Sequence, residues 1–239
     1  MHSLKYCFLL LILFMLPTDS RTQQMIKTNP TRPSASDNAY LSAYGHTELE
    51  FGWYTSDDSR NFPALLKFTF HRNFELGASM SGLVNYMDSD VELGTPGLQL
   101  KSQLIKKQRT ALAAVGRVEF HSDDRPRYNL YSVVSTQTDF MNMDATLGKI
   151  FFDRGDGSYK GSVHYAVALS PNLKGRLAGF LEIFGEHSSF SKPVSFDFGI
   201  SYVYSPKVVL DFSFTFGLNE DAPDFILQLG FTSILFKVF

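Results

Sequence analysis

The sequence predicts an all-β protein, a transmembrane antiparallel up-and-down β-barrel of about 12 strands. Three observations predict it. From residue 46 to Phe239, stretch after stretch places an apolar or aromatic side chain at every second position. Side chains on a strand point alternately to opposite faces, so each stretch has one apolar and one polar face. The connections alternate between short and long, as the periplasmic turns and external loops of bacterial barrels do. An export signal precedes the whole pattern.

That signal is Met1 to Ser20, MHSLKYCFLLLILFMLPTDS. Lys5 supplies the positive start, Cys7 to Leu16 form the apolar core, and Pro17 breaks it before the small residues Thr18 and Ser20. The core is too short for a membrane-spanning helix, which needs about 20 residues. Residues 1–20 therefore read as a signal peptide cleaved near Ser20. Cys7, the only cysteine, stands at the start of the apolar core, badly placed for a lipid-modified N-terminus; the exported chain would have no disulfide. Residues 21–45 are polar, with Pro30 and Pro33, and read as an N-terminal arm in the periplasm, ahead of an outer-membrane barrel over 46–239. A formal charge of −2 points to no nucleic-acid partner. No later segment is apolar and long enough for a membrane helix, and lipid admits only helices and closed barrels.

Strands are predicted at 46–55, 62–72, 74–86, 96–106, 110–121, 129–138, 141–152, 159–169, 175–187, 194–204, 208–218 and 225–236. Short turns centre on Asn73, Lys106–Arg109, Phe140, Ser170–Lys174 and Ser205–Lys207. Longer polar loops are Ser56–Asn61, Met87–Thr95, Ser122–Tyr128, Asp153–Ser158, Ser188–Pro193 and Asn219–Asp224. Six long and five short connections are what twelve strands require when both termini lie on the periplasmic side.

Parity assigns the faces. Leu49, Phe51 and Trp53 oppose Glu48, Glu50 and Gly52, while Leu210, Phe212, Phe214 and Phe216 oppose Asp211, Ser213, Thr215 and Gly217. Were the apolar set turned inward, this would be a soluble lipocalin-like barrel. Strands in soluble folds are shorter, and a set rich in charges and glycines makes a better wall for a wet lumen than an exterior. Aromatics such as Trp53, Tyr86, Tyr128, Phe152 and Phe190 sit near the longer loops, where an interfacial girdle would lie.

Eight strands leave a barrel interior filled by side chains and 16 to 18 leave an aqueous pore, so twelve predict a narrow channel. The predicted lumen-lining and permeant-binding residues are Glu48, Glu50, Lys67, His71, Glu75, Lys101, Arg117, Glu119, His121, Glu182, Glu186, Asp197 and Asp211, with Asp144, His164 and Arg176 beside them. Fixed charges along a pore select by sign, and Glu182 with Glu186 on one face predict a mild cation or neutral-solute preference. The expectation is therefore passive diffusion of small solutes through an outer-membrane barrel of a Gram-negative bacterium. No catalytic residue, metal or cofactor is expected: no G-x-S-x-G occurs, and Asp153–Gly157 reads as a turn before a calcium loop. A barrel-embedded lipid hydrolase or deacylase using one of the scattered histidines is the alternative, and a structural barrel plugged by residues 21–45 is another. Expected partners are outer-membrane lipid, the solute, and the barrel-assembly machinery through the strand ending at Phe239; the chain reads as a monomer.

The stretch Gly175–Thr232 carries an E-x-x-x-E strand (Glu182, Glu186), a D-x-G strand (Asp197, Gly199), a Ser205-Pro206 turn, and Asp211 running into G-L-N-x-x-x-x-D at Gly217–Asp224. In this it resembles the C-terminal part of the outer-membrane proteins of the MetA pathway of phenol degradation. Thr31–Trp53 and Asp90–Leu104 are similar to that family's opening and to its G-D-L-x-L-x-x-K strand. The resemblance implies a transporter-like barrel and, from the family's name, aromatic or hydrophobic solutes. One departure is the tail, since Lys237–Phe239 extend past the family's usual end near Phe236.

Overall fold

A computed structural model describes residues 27–57, 59–87, 90–121, 125–153, 159–171, 173 and 175–239. The predicted signal peptide, residues 21–26 of the predicted arm, and residues 58, 88–89, 122–124, 154–158, 172 and 174 of the predicted loops and turns lie outside the described residues.

Strands follow in the order β1 (His46–Ser56), β2 (Ser59–Asn61), β3 (Ala64–His71), β4 (Phe74–Met80), β5 (Asn85–Met87), β6 (Asp90–Glu92), β7 (Pro96–Lys106), β8 (Thr110–Glu119), β9 (Arg127–Gln137), β10 (Met141–Asp153), β11 (Tyr159–Pro171), β12 (Leu177–His187), β13 (Val194–Ser205), β14 (Val208–Gly217) and β15 (Phe225–Lys237). Each long strand pairs antiparallel with its neighbours in chain order, and β15 pairs with β1 from His46↔Lys237 to Ser56↔Ile226. The result is a closed barrel of twelve strands with no free long edge, which is what β1, β3, β4 and β7–β15 amount to. Among the described residues no helix is long and apolar enough to cross a membrane.

The period-2 pattern decides which face points where. Along β7, Leu98 and Leu100 are exposed on the outer wall while Gln99, Lys101 and Gln103 are buried within. The outer wall is a continuous apolar surface that includes Leu66, Leu76, Leu130, Leu147, Leu181, Ile200 and Leu210. A patch that size on a soluble monomer would drive association, whereas hydrocarbon chains wet it without penalty. Aromatic rings knit neighbouring strands on that wall, with Phe198 over Phe214 at 5.7 Å and Phe214 against Phe225 at 5.6 Å.

The strand predicted over 74–86 ends at Met80, because Ser81-Gly82 breaks the alternation. Asn85–Met87 and Asp90–Glu92, in part expected as open loop, instead pair as β5 and β6, which add to β2 and through it to the long-loop end of β1. The base of this excursion is closed by Ser81 N–H to Thr95 O at 3.0 Å and Gly94 N–H to Gly82 O at 2.7 Å.

Gly45 turns the chain from the arm into β1 with φ of 71°, a left-handed conformation that L side chains rarely adopt. A Cβ there would stand 2.8 Å from the backbone oxygen of Phe239, whose neighbour Val238 donates its N–H to Gly45 O. Backbone strain and a steric clash therefore coincide. Gly45→Ala should destabilise the barrel by about 1–2 kcal/mol, read as a shift in denaturant midpoint with an unchanged slope.

Candidate functional site

Residues 27–45, expected on the periplasmic side, lie inside the barrel. They enter beside the short turns, where Thr28 N–H donates to Pro206 O at 3.1 Å, climb to mid-height, and return to Gly45. Side chains form rungs across this U: Asn29 Nδ2 donates to Asn38 Oδ1 (3.0 Å) and Tyr40 O (2.9 Å), and Asn38 Nδ2 donates to Pro30 O (3.1 Å). A chain segment without a ladder of its own must satisfy its backbone elsewhere. Here the barrel wall does it.

Four lumen glutamates accept most of those bonds. Glu48 takes the N–H of Asn29 (2.9 Å) and Glu50 takes the N–H and hydroxyl of Thr31. Glu75 takes the N–H of Ser42 (2.7 Å), along with its hydroxyl. Glu182 grips the tip, accepting from Ala35 N–H (2.7 Å), Ser36 N–H (2.6 Å) and the Ser34 hydroxyl (2.8 Å). Ser135 accepts from Ala39 N–H at 2.7 Å, and its own hydroxyl donates to Asp144. Ionised carboxylates are the strongest acceptors available to an amide, which is why this residue type suits the task.

The cations of the lower lumen are neutralised in the same network. Lys67 Nζ lies 2.6 Å from Glu48 and 2.5 Å from Glu50 and also donates to Asn29 O at 2.7 Å. Lys101 Nζ pairs with Asp37 of the arm at 2.6 Å. Glu48, Lys67, Glu75 and Lys101 are each 0% exposed, a burial no open water-filled pore would produce. Arg32 lies across the seam that closes the barrel, over Gly52 and Gly230, which face each other in the β1–β15 pair. It reaches Asp211 at 3.5 Å and donates to Leu229 O at 3.3 Å. A Cβ on Gly52 would sit 2.2 Å from the Arg32 guanidinium, so the paired glycines make the flat bed it needs.

Of the predicted lining residues, Glu48, Glu50, Lys67, Glu75, Lys101 and Glu182 are brought together around the arm, and Asp197 and Asp211 are buried beside it. Arg117, Glu119 and Glu186 sit higher, towards the long loops, with His121 at the rim. His71 is displaced: a register shift between Phe68 and His71 interrupts the alternation, and the exposed ring stacks against Phe74 at 5.4 Å at the short-turn end. Arg176 likewise ends exposed, donating to Tyr204 O at 3.3 Å.

Sequence reasoning offered the arm as a plug only as an alternative, without its partners on the wall, and it missed an apolar patch within the lumen. Ala39 and Tyr40 of the arm pack on Ala111, Ala113, Val115, Val133 and Tyr131. Small apolar residues at lumen parity on β8 and β9 were the available signal.

Beyond the tip of the arm the lumen opens into a cavity of about 460 Å³, floored by Ser34–Asp37 and walled by Gln99, Arg117, Tyr131 and His164. A second recess of about 360 Å³ lies at the mouth, lined by His121, Arg125, Phe152 and Phe190. Arg127 and Glu186 line both, so the two adjoin. Among the described residues no group of three or more His, Cys, Asp or Glu is arranged to hold a metal ion.

No family model and no curated protein sequence matches the chain. Solved structures do. The KdgM porin in complex with disordered oligogalacturonate is 10% identical, with a TM-score of 0.61 over 78% of this chain and 98% of that one. The NanC porin is 9% identical, with a TM-score of 0.60 over 79% of this chain and 98% of that one. An outer-membrane channel from Pseudomonas putida F1 is 13% identical, with a TM-score of 0.60 over 87% of this chain and all of that one. At such identities the likeness establishes the fold, a porin-type barrel.

Proposed function

We propose that this chain forms a passive outer-membrane channel for small solutes, inserted as a monomer with its short turns towards the periplasm and its passage narrowed by residues 27–45. One observation carries the reading: the interior is not packed. An eight-stranded barrel fills itself with side chains, whereas here a 460 Å³ charged cavity adjoins a 360 Å³ recess at the long-loop end. Cavities of several hundred Å³ with a few placed polar groups are the size at which small molecules bind. The porin-type fold and the resemblance to the MetA-pathway outer-membrane proteins support the same reading, the latter adding aromatic or hydrophobic solutes as candidates.

Charge selection in this channel rests on the upper lumen. Of the two carboxylates that favoured a cation preference on sequence grounds, Glu182 is committed to the tip of the arm and Glu186 to Arg127. The alternative, a lipid hydrolase, requires a serine bonded to a histidine base. Among the described residues none is, and His164 faces the cavity without such a partner. The partners proposed are lipid, solute and, through the terminal strand, the barrel-assembly machinery.

The purified chain reconstituted in planar bilayers should give small, discrete conductance steps in potassium chloride. Absence of conductance in every salt would overturn the channel reading.

A further inference from the structure

We infer that the upper lumen holds a binding site for a small organic monoanion, a carboxylate with an apolar body, with Arg117 as its receptor; the inference deepens the channel reading and rests on it. Among the described residues most lumen cations have an acidic partner: Lys67 has Glu48 and Glu50, Lys101 has Asp37, Arg32 has Asp211, and Arg127 has Glu186 at 3.3 Å, while Lys149, at the cavity edge, lies over the Phe151 ring. Arg117 is different. Its Nη2 donates to Gln99 Oε1 at 2.8 Å and to the Tyr131 hydroxyl at 3.4 Å, and its Nε donates to the same Gln99 oxygen at 3.3 Å. Among the described residues no carboxylate lies within ion-pair distance of it. A half-buried arginine without a direct ion pair has its charge free to take one.

The neighbouring carboxylates do not offer themselves. Glu119 accepts from Asn129 Nδ2 at 3.2 Å and lies 3.8 Å from His121 Nε2. Glu186 accepts from Arg127 and from the Ser162 hydroxyl at 3.1 Å. Asp37 and Glu50, on the floor, belong to Lys101 and Lys67.

Gln99 holds the guanidinium by its Nε–Nη2 edge and Tyr131 takes a long bond from Nη2, which leaves the Nη1 hydrogens for a ligand in the cavity that Arg117 lines. A carboxylate that displaces the 3.4 Å bond to Tyr131 meets the Nη1–Nη2 edge as a bidentate pair, and a guanidinium, unlike an amine, cannot shed its charge. The same cavity is lined elsewhere by Pro63, Ala64, Leu65 and Ile150, an apolar surface for the body of the ligand. A fully hydrated inorganic anion would find no use for that surface, whereas a carboxylate with a short apolar body uses both.

The test is equilibrium binding of hexanoate and benzoate to the folded full-length barrel in detergent, with hexanamide and benzamide as neutral isosteres at matched ionic strength. Saturable binding of the acids, at least tenfold tighter than of the amides, is expected. Arg117→Gln should abolish that tenfold preference, and Arg117→Lys, which keeps the charge but loses the fork, should retain part of it. Arg109→Gln, at a surface ion pair near the short turns, should leave binding unchanged. Equal affinity for acid and amide, or unaltered preference in Arg117→Gln, would overturn the site. Should Arg117→Gln fail to fold, Arg117→Lys with undiminished preference overturns the bidentate assignment and a reduced one supports it. A barrel that conducts without this preference sinks the site alone, while one that binds acids but never conducts sinks the channel reading alone.

Discussion

Lys67→Met should destabilise the barrel by about 3–5 kcal/mol, the largest single-residue effect expected in this molecule. The ammonium sits between two carboxylates, 2.6 Å from Glu48 and 2.5 Å from Glu50, all three nearly or fully inaccessible to solvent. Removing the cation leaves two like charges buried together, and both also hold backbone amides of the arm. Methionine has nearly the shape of the lysine stem, so packing is preserved and the loss reports electrostatics. Trp53, the only tryptophan, stands on β1 and makes its fluorescence a direct reporter of denaturant unfolding. The double replacement of Glu48 and Glu50 by Gln in the Lys67→Met background should recover much of the loss, because neutral partners need no counter-charge. A loss below about 1 kcal/mol, the range of exposed pairs, would show that water reaches this triad.

Glu182→Ala should release the tip of the arm and raise single-channel conductance several-fold. Glu182 accepts three bonds from Ser34, Ala35 and Ser36, and hydrogen bonds to charged groups contribute about 1.5–3 kcal/mol each. Nothing else on β12 or β13 is bonded to these three residues among the described contacts, so the tip loses its grip on that side of the wall. Residues Asn29, Thr31 and Ser42 keep their own glutamates, so the arm should remain anchored at its base. An engineered disulfide between Ala39→Cys and Ser135→Cys, in a chain whose only native cysteine lies in the predicted signal, should return conductance towards the wild-type value. Conductance unchanged by Glu182→Ala would mean that solute passes without contacting the tip.

The barrel was legible because its cause is local. Alternation along each strand and the turn chemistry of Asn73 or Ser205-Pro206 act over a few residues, and the long strands fall within a few residues of their predicted bounds, β4 apart. The lumen face was legible for the same reason, with His71 lost to a register shift that no parity rule contains. What the lumen charges do was not legible. Glu48 and Glu182 have the parity of lining residues whether they meet water, a permeant or a peptide. Choosing among these needs the position of residues 27–45, set by side-chain bonds to strands far off in sequence rather than by any period. A pair of glycines at lumen parity, Gly52 and Gly230, marked where something large would lie, but only once the β1–β15 register is known.

The inserted U has bearing on how such a cylinder can come into being. Its bonds reach across 19 residues to Glu48, 33 to Glu75, 64 to Lys101, 96 to Ser135, 109 to Thr146, 147 to Glu182 and 195 to Gln228. These partners stand on seven of the twelve long strands, β1, β4, β7, β9, β10, β12 and β15, like staves around a former. Closing distant contacts is slow when made unaided, and a former bonded to so many staves shortens each search. The chain thus carries its own mandrel, left in place within the finished wall.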